Sequence, residues 1–213
     1  MHLSRFRHLP LLGILRGIEA RHVPPVAEAV AATGLEAIEV TMNTADAPAL
    51  IRRMVAESNG RFIVGAGTVL SLEDLDAALD AGATFIVMPV LVPDVVAACV
   101  AKDIAVFPGA LTPQEIFHAW RAGATMVKVF PASCFGPAYF KEVKGPFRDI
   151  ELLACGGVNA ENMSAYFASG ASAVAFGGSI FRSDWLAAGE FGRIQSAMRT
   201  LVDACRHALT RVP

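Results

Sequence analysis

The chain has 213 residues, of which 54% are hydrophobic and 18% charged, with a formal net charge of −2. That length suits one domain with a sizeable core. The apolar content excludes a disordered chain, and the slightly acidic balance gives no footprint for nucleic acid or an anionic membrane. The four cysteines, Cys99, Cys134, Cys155 and Cys205, form no C-x-x-C pair. A chain this large and apolar needs no disulfide staples, so reduced thiols and a cytoplasmic location are expected.

Residues 1–18 are basic and then apolar, as in a signal peptide, but the apolar stretch is short, contains Arg16 and lacks a small-residue cleavage site. Residues 1–9 therefore read as a leader into the first strand. From there, short apolar runs alternate with Ala-rich helical patterns. Strands are predicted at 11–17, 36–42, 62–69, 85–90, 105–111, 126–132, 151–157 and 173–178. Helical stretches between them include VPPVAEAVAAT, APALIRRMVAES, LEDLDAALDA, PDVVAACVA, PQEIFHAWRA and AENMSAYFAS. Gly34, Gly82, Gly123 and Gly170 stand where helices should stop. Ser71 with Asp74, and Asn159 with Asn162, stand where helices should start. The most apolar window, 85–101, is broken by Pro89, Pro93 and Asp94, so it reads as strand, loop and helix rather than a membrane span. The stretch 183–213 reads as a last helical region, and no linker divides residues 1–213.

Strand–helix alternation at this spacing means parallel βαβ units. Eight such strands predict an α/β chain folded as a single (β/α)₈ TIM barrel, with an open doubly wound sheet as the alternative. In barrels the chemistry sits at the C-terminal ends of the strands.

Lys128 lies inside the apolar run Met-Val-Lys-Val-Phe. Alternation sends Met126, Lys128 and Phe130 to the interior and Val127 and Val129 to the helices. Lysines are seldom buried without a task, and a desolvated amine suits a Schiff-base nucleophile. Glu39, in Ala-Ile-Glu-Val-Thr-Met, shares a face with Thr41 and would enter from the second strand, across from Lys128. A carboxylate there can shuttle protons; a purely structural buried ion pair is the alternative. Thr68 follows Gly65-Ala66-Gly67, where small residues let a ligand approach the backbone. Gly156-Gly157 and Gly177-Gly178-Ser179 follow the last two strands, the usual place for a phosphate cradle of backbone N–H groups. The five histidines lie away from the strand ends, so no metal is expected.

Ile-Glu-Val-Thr, Val-Gly-Ala-Gly-Thr-Val, Val-Lys-Val-Phe-Pro-Ala, Gly-Gly-Val and Gly-Gly-Ser occur in this order from about Leu11 to Phe181. In this the chain resembles the class I KDPG/KHG aldolases, which split 2-keto-3-deoxy-6-phospho sugar acids, and their phosphogalactonate branch. The resemblance implies Lys128 as the imine-forming lysine, Glu39 as general acid/base, Thr68 at the pyruvate-like end and Phe130 packing near the imine. It places Gly156, Gly157, Gly177, Gly178 and Ser179 around the phosphate, with Pro89, Asn43 and Cys155 among the substrate-binding residues. It also implies a homotrimer, a phosphorylated keto-deoxy sugar acid as substrate, and no cofactor beyond the covalent imine on Lys128.

The chain departs from the gluconate-type pattern at two positions. Gluconate-type members usually carry arginine where this chain has Asn43, whereas Arg16 ends the first strand as in the galactonate branch. Arginine suits bidentate carboxylate recognition, so Arg16 is assigned that task. Cys155 precedes the glycine pair where gluconate-type members often have threonine, a stronger hydrogen-bond donor. The C4 epimer stays open. Two other readings share the glycine turns: a phosphate-binding barrel isomerase or epimerase, and a non-catalytic sugar-phosphate sensor.

Overall fold

The computed structural model describes residues 3–210; residues 1–2 of the leader and 211–213 of the last helical region lie outside them. The strands are β1 (Leu11–Leu15), β2 (Ala37–Thr41), β3 (Ile63–Gly67), β4 (Phe85–Val87), β5 (Ala105–Phe107), β6 (Gly109–Ala110), β7 (Val127–Val129), β8 (Leu152–Cys155) and β9 (Ala173–Phe176). The helices are α1 (Leu3–His8), α2 (Val23–Thr33), α3 (Ala47–Ser58), α4 (Leu72–Asp80), α5 (Pro93–Ala101), α6 (Pro113–Arg121), α7 (Gly136–Lys144), α8 (Met163–Ala168), α9 (Ser183–Ala187) and α10 (Phe191–Leu209). None of the described helices is long and apolar enough to cross a membrane.

The nine strands form one sheet in the order β5-β4-β3-β2-β1-β9-β8-β7-β6. Every pairing is parallel, and the two ends of the ladder are consecutive in sequence. The fifth predicted strand, 105–111, is therefore two short strands. Pro108 has no N–H to give the ladder, so β5 pairs with β4 on one side of it and β6 with β7 on the other. Thr125 N–H donates to Val106 O and Lys128 N–H to Pro108 O, each at 2.9 Å, which draws the two ends together into a barrel. Gly109 is required at this joint, because a Cβ there would stand 2.1 Å from the Pro89 carbonyl oxygen.

Alternation along the strands sorts the side chains into two layers. Val127 and Val129 belong to the large outer core beneath the helices, with Ile38 and Val40 of β2. Met126, Leu12, Ala37, Phe85, Phe107 and Leu153 fill the barrel interior. Ahead of β1 the leader forms the short helix α1. Its Phe6 is fully buried in that interior cluster, with its ring 5.9 Å from that of Phe107. Arg5 pairs with Glu36 at 2.6 Å and Arg7 with Glu151 at 2.8 Å, fastening α1 beside the starts of β2 and β8. The N-terminal end of the barrel is thereby stoppered with an aromatic ring. On the outside, α10 buries Ile194, Met198, Leu201, Val202 and Cys205, the stripe expected of a helix lying on a core, and packs on α2 and α8.

The helix signals act locally as the sequence suggests. Ser71 Oγ accepts from Asp74 N–H at 3.1 Å at the start of α4. Gly34 ends α2 at φ 74°, a left-handed conformation that other residues adopt at a cost.

Candidate active site

At the C-terminal ends of the strands the barrel opens into a cavity of about 600 Å³. Lys128 reaches it from β7, in register with Gly109 on β6 and Leu153 on β8. The lysine is 6% exposed, and its Nζ lies 5.6 Å from the centroid of the Phe130 ring. Among the described residues no carboxylate comes within the 4.0 Å of an ion pair with it. The structural ion pair left open by the sequence is thus not formed.

Glu39 enters the interior from β2, in register with Gly65 of β3. It is 1% exposed, and neither carboxyl oxygen has a hydrogen-bond partner. Burial pushes its pKa above the usual carboxylate range, opposed by the charges of Lys128 and then Arg16. A carboxyl that is buried, unpaired and faced by two cations is an uncommon use of core space and a candidate functional group. Glu39 does not itself line the cavity; it stands behind the lining on β2.

Arg16, Thr68, Pro89, Phe130, Cys155, Gly156, Gly157, Gly177, Gly178 and Ser179 all line the cavity. Asn43 is exposed and does not. Arg16 is held at the mouth by its neighbour. Gly17, at φ 68°, donates its N–H to Thr44 Oγ1 at 3.0 Å, and Thr44 Oγ1 lies 3.0 Å from Thr41 Oγ1. Thr68 has φ 55°, and a β-branched residue in the left-handed region stores strain of about 1–3 kcal/mol. Burial also raises the Cys155 thiol pKa, an effect that the nearby Lys128 charge opposes.

The glycine turns face the cavity with their backbone. Among the described residues, no main-chain carbonyl accepts the N–H groups of Gly157, Val158, Gly178 or Ser179. Unsatisfied amides at a cavity wall suit an anion. Arg16 and Lys128 are the charged side chains of the lining, so the glycine end presents main chain rather than cationic side chains. Among the described residues no group of three or more His, Cys, Asp or Glu is placed to hold a metal.

Sequence reasoning missed the apolar wall made by Ile14, Ala175, Phe176 and Phe181, where the Phe176 and Phe181 rings stack at 5.7 Å. Gly13 lies beneath it, 3.3 Å or less from Ile38, Phe176 and Phe181 if it carried a Cβ. Asn159 and Ser183 also line the cavity. Apolar residues at strand ends look like core in a sequence, so only Asn159 gave a signal, and that was a helix start.

A barrel that buries a lysine on its interior face, with an unpaired carboxyl behind the pocket and free amides at its rim, belongs with the barrel lyases. The chain is a member of the KDPG and KHG aldolase family, whose sequence model matches residues 3–197. It is 35% identical over 82% of its length to 2-dehydro-3-deoxy-6-phosphogalactonate aldolase of Escherichia coli strain K12, covering 86% of that protein. It is 37% identical over 76% of its length to 2-dehydro-3-deoxy-phosphogluconate aldolase of Pseudomonas aeruginosa, covering 72% of that protein. A solved structure described as native KDPGal superposes with a TM-score of 0.89 at 33% identity, covering 95% of this chain and 97% of the other. The family membership favours the aldolase reading over the isomerase and sensor readings.

Proposed function

We propose that this enzyme is a class I aldolase that cleaves a 2-keto-3-deoxy-6-phospho sugar acid, of the galactonate or gluconate series, to pyruvate and glyceraldehyde 3-phosphate. The observation that carries the proposal is Lys128. It is a nearly buried amine with no carboxylate partner among the described residues, opening on a cavity whose other end is rimmed by free amides.

In this mechanism the Lys128 amine adds to the C2 ketone and water leaves, giving a protonated imine. Glu39, directly or through a water, takes the proton of the C4 hydroxyl. The C3–C4 bond breaks, its electron pair flows into the imine, and glyceraldehyde 3-phosphate departs. The enamine then takes a proton at C3, and water hydrolyses the imine to release pyruvate and restore the amine. Arg16 and Thr68 hold the carboxylate end. The turns at Gly156–Gly157 and Gly177–Ser179 hold the phosphate, whose binding energy positions the scissile bond. The covalent imine on Lys128 is the only prosthetic chemistry this scheme uses. The family resemblance supports a homotrimer, which sedimentation velocity tests directly, and the four free cysteines fit a cytoplasmic setting.

Borohydride added with pyruvate should reduce the imine and leave an adduct on Lys128, found by peptide mass analysis. Absence of the adduct, or aldolase activity retained in Lys128→Ala, overturns the mechanism. A side-by-side cleavage assay with the two C4 epimers decides the series.

A further inference from the structure

We propose that Asn162 is a positioning residue that aims the main chain after β8 at the substrate phosphate. The inference rests on the phosphate-end assignment above and adds a residue to it.

Beyond Cys155 the chain turns through Gly156 and Gly157, at φ 98° and 77°. A Cβ on Gly157 would stand 2.7 Å from the Ser133 Cβ, so the turn is pressed against the loop after β7. From the far side, Asn162 Nδ2 donates to the Gly157 carbonyl oxygen at 2.8 Å. The Asn162 side chain is itself fixed, because its Oδ1 accepts from Asn159 N–H at 2.9 Å. Asn159 Oδ1 returns the arrangement, accepting from the N–H groups of Asn162 at 3.0 Å and Glu161 at 2.9 Å.

In a planar trans peptide the N–H points opposite to the carbonyl. Holding the Gly157 carbonyl toward Asn162 therefore turns the Val158 N–H the other way. Val158 and Gly157 both line the cavity, and among the described residues no main-chain carbonyl accepts the Val158 N–H. The cavity's charged side chains, Arg16 and Lys128, are already engaged at the keto-acid end in this reading, so the phosphate depends on how its amides are aimed. A single side-chain amide then sets the direction of a dipole at the anion site. If Asn162 served only to start α8, its loss would lower stability and disturb all ligands alike.

The test uses the full-length enzyme with Asn162→Ala and the near-isosteric Asn162→Leu, neither of which alters charge. Three quantities are read in wild type and variants: cleavage of the phosphorylated acid, cleavage of the same keto-deoxy acid without phosphate, and calorimetric affinity for inorganic phosphate. Both variants should raise KM for the phosphorylated acid and weaken phosphate binding by about tenfold, the loss of one hydrogen bond to a charged group. Cleavage of the unphosphorylated acid should stay within about twofold of wild type. Unchanged phosphate affinity, or equal losses on both substrates, overturns the proposal. Weakened phosphate binding in variants of a chain that cleaves neither acid would uphold the positioning role and overturn the aldolase reading. Cleavage with phosphate affinity unmoved would do the reverse.

Discussion

Glu39 rests on the α-carbon of Gly67: a Cβ at that position would lie 2.2 Å from Oε1 and 2.6 Å from Cδ. β3 thus supplies the floor on which the buried carboxyl of β2 is placed. Gly67→Ala must displace the carboxyl, since no real Cβ contact is that short. Turnover should fall about a hundredfold, the scale expected when a reacting group moves by an ångström. Trapping of pyruvate on Lys128 should persist, because imine formation does not use the displaced group in the same way. Steady-state kinetics with borohydride labelling reads both; unchanged kcat would mean that Glu39 has no role in proton transfer.

The pH dependence of Glu39 has a definite sign. Its folded-state pKa is raised above the ordinary value of 4.5 by burial, so the folded protein holds a proton that the unfolded chain has lost. Stability is fully present below the ordinary value and declines as pH rises through the folded value. Glu39→Gln removes this slope, so the variant's melting temperature relative to wild type should climb as pH increases from about 4.5. In activity, the same shift places the acid limb of kcat above the usual carboxylate range. The variant should lose about 10²–10⁴-fold in kcat while still forming the imine. Parallel thermal scans and pH–rate profiles test both parts.

Thr44 ties the loop after β2 to the loop after β1 through the Gly17 N–H. Thr44→Val removes the acceptor and loosens the backbone beside Arg16. KM for the keto acid should rise several-fold, as expected for about 1 kcal/mol lost from one hydrogen bond, with kcat little changed. Thr44→Ser should restore it. An equal fall in kcat, or no rescue by serine, would point to general disorder of the loop instead.

Phe6 is fully buried beneath the barrel. Phe6→Ala should destabilise the fold by about 3–5 kcal/mol, the cost of a large aromatic removed from a packed interior. Chemical denaturation measures it, and a loss under about 1 kcal/mol would show that the interior collapses around the gap.

Much of the site was legible because its residues violate the pattern that surrounds them. Lys128 and Glu39 interrupt apolar strands, and the paired glycines follow strands, where no helix needs stopping. Alternation then assigned their faces without further information. The missing parts are those set by distant packing. That α1 would turn under the barrel and insert Phe6 depends on a partner, Phe107, a hundred residues away in sequence. That Pro108 divides a strand could be read from its missing N–H, but its place at the barrel's closing joint depends on which neighbours β5 and β6 choose. Asn43 shares the β2 loop with Thr44, yet it is exposed while Thr44 turns inward to bond Gly17. Family position alone did not distinguish them.

The aromatic stopper at the N-terminal end has a kinetic corollary. With the interior filled below Lys128, traffic passes through one mouth. In the proposed reaction C3–C4 cleavage frees the phosphorylated aldehyde, whereas the three-carbon fragment stays covalently tethered to Lys128. Departure is then sequential: the aldehyde leaves first and the keto acid last. In the synthetic direction the keto acid must load first, so an aldehyde bound early would act as a dead-end blocker.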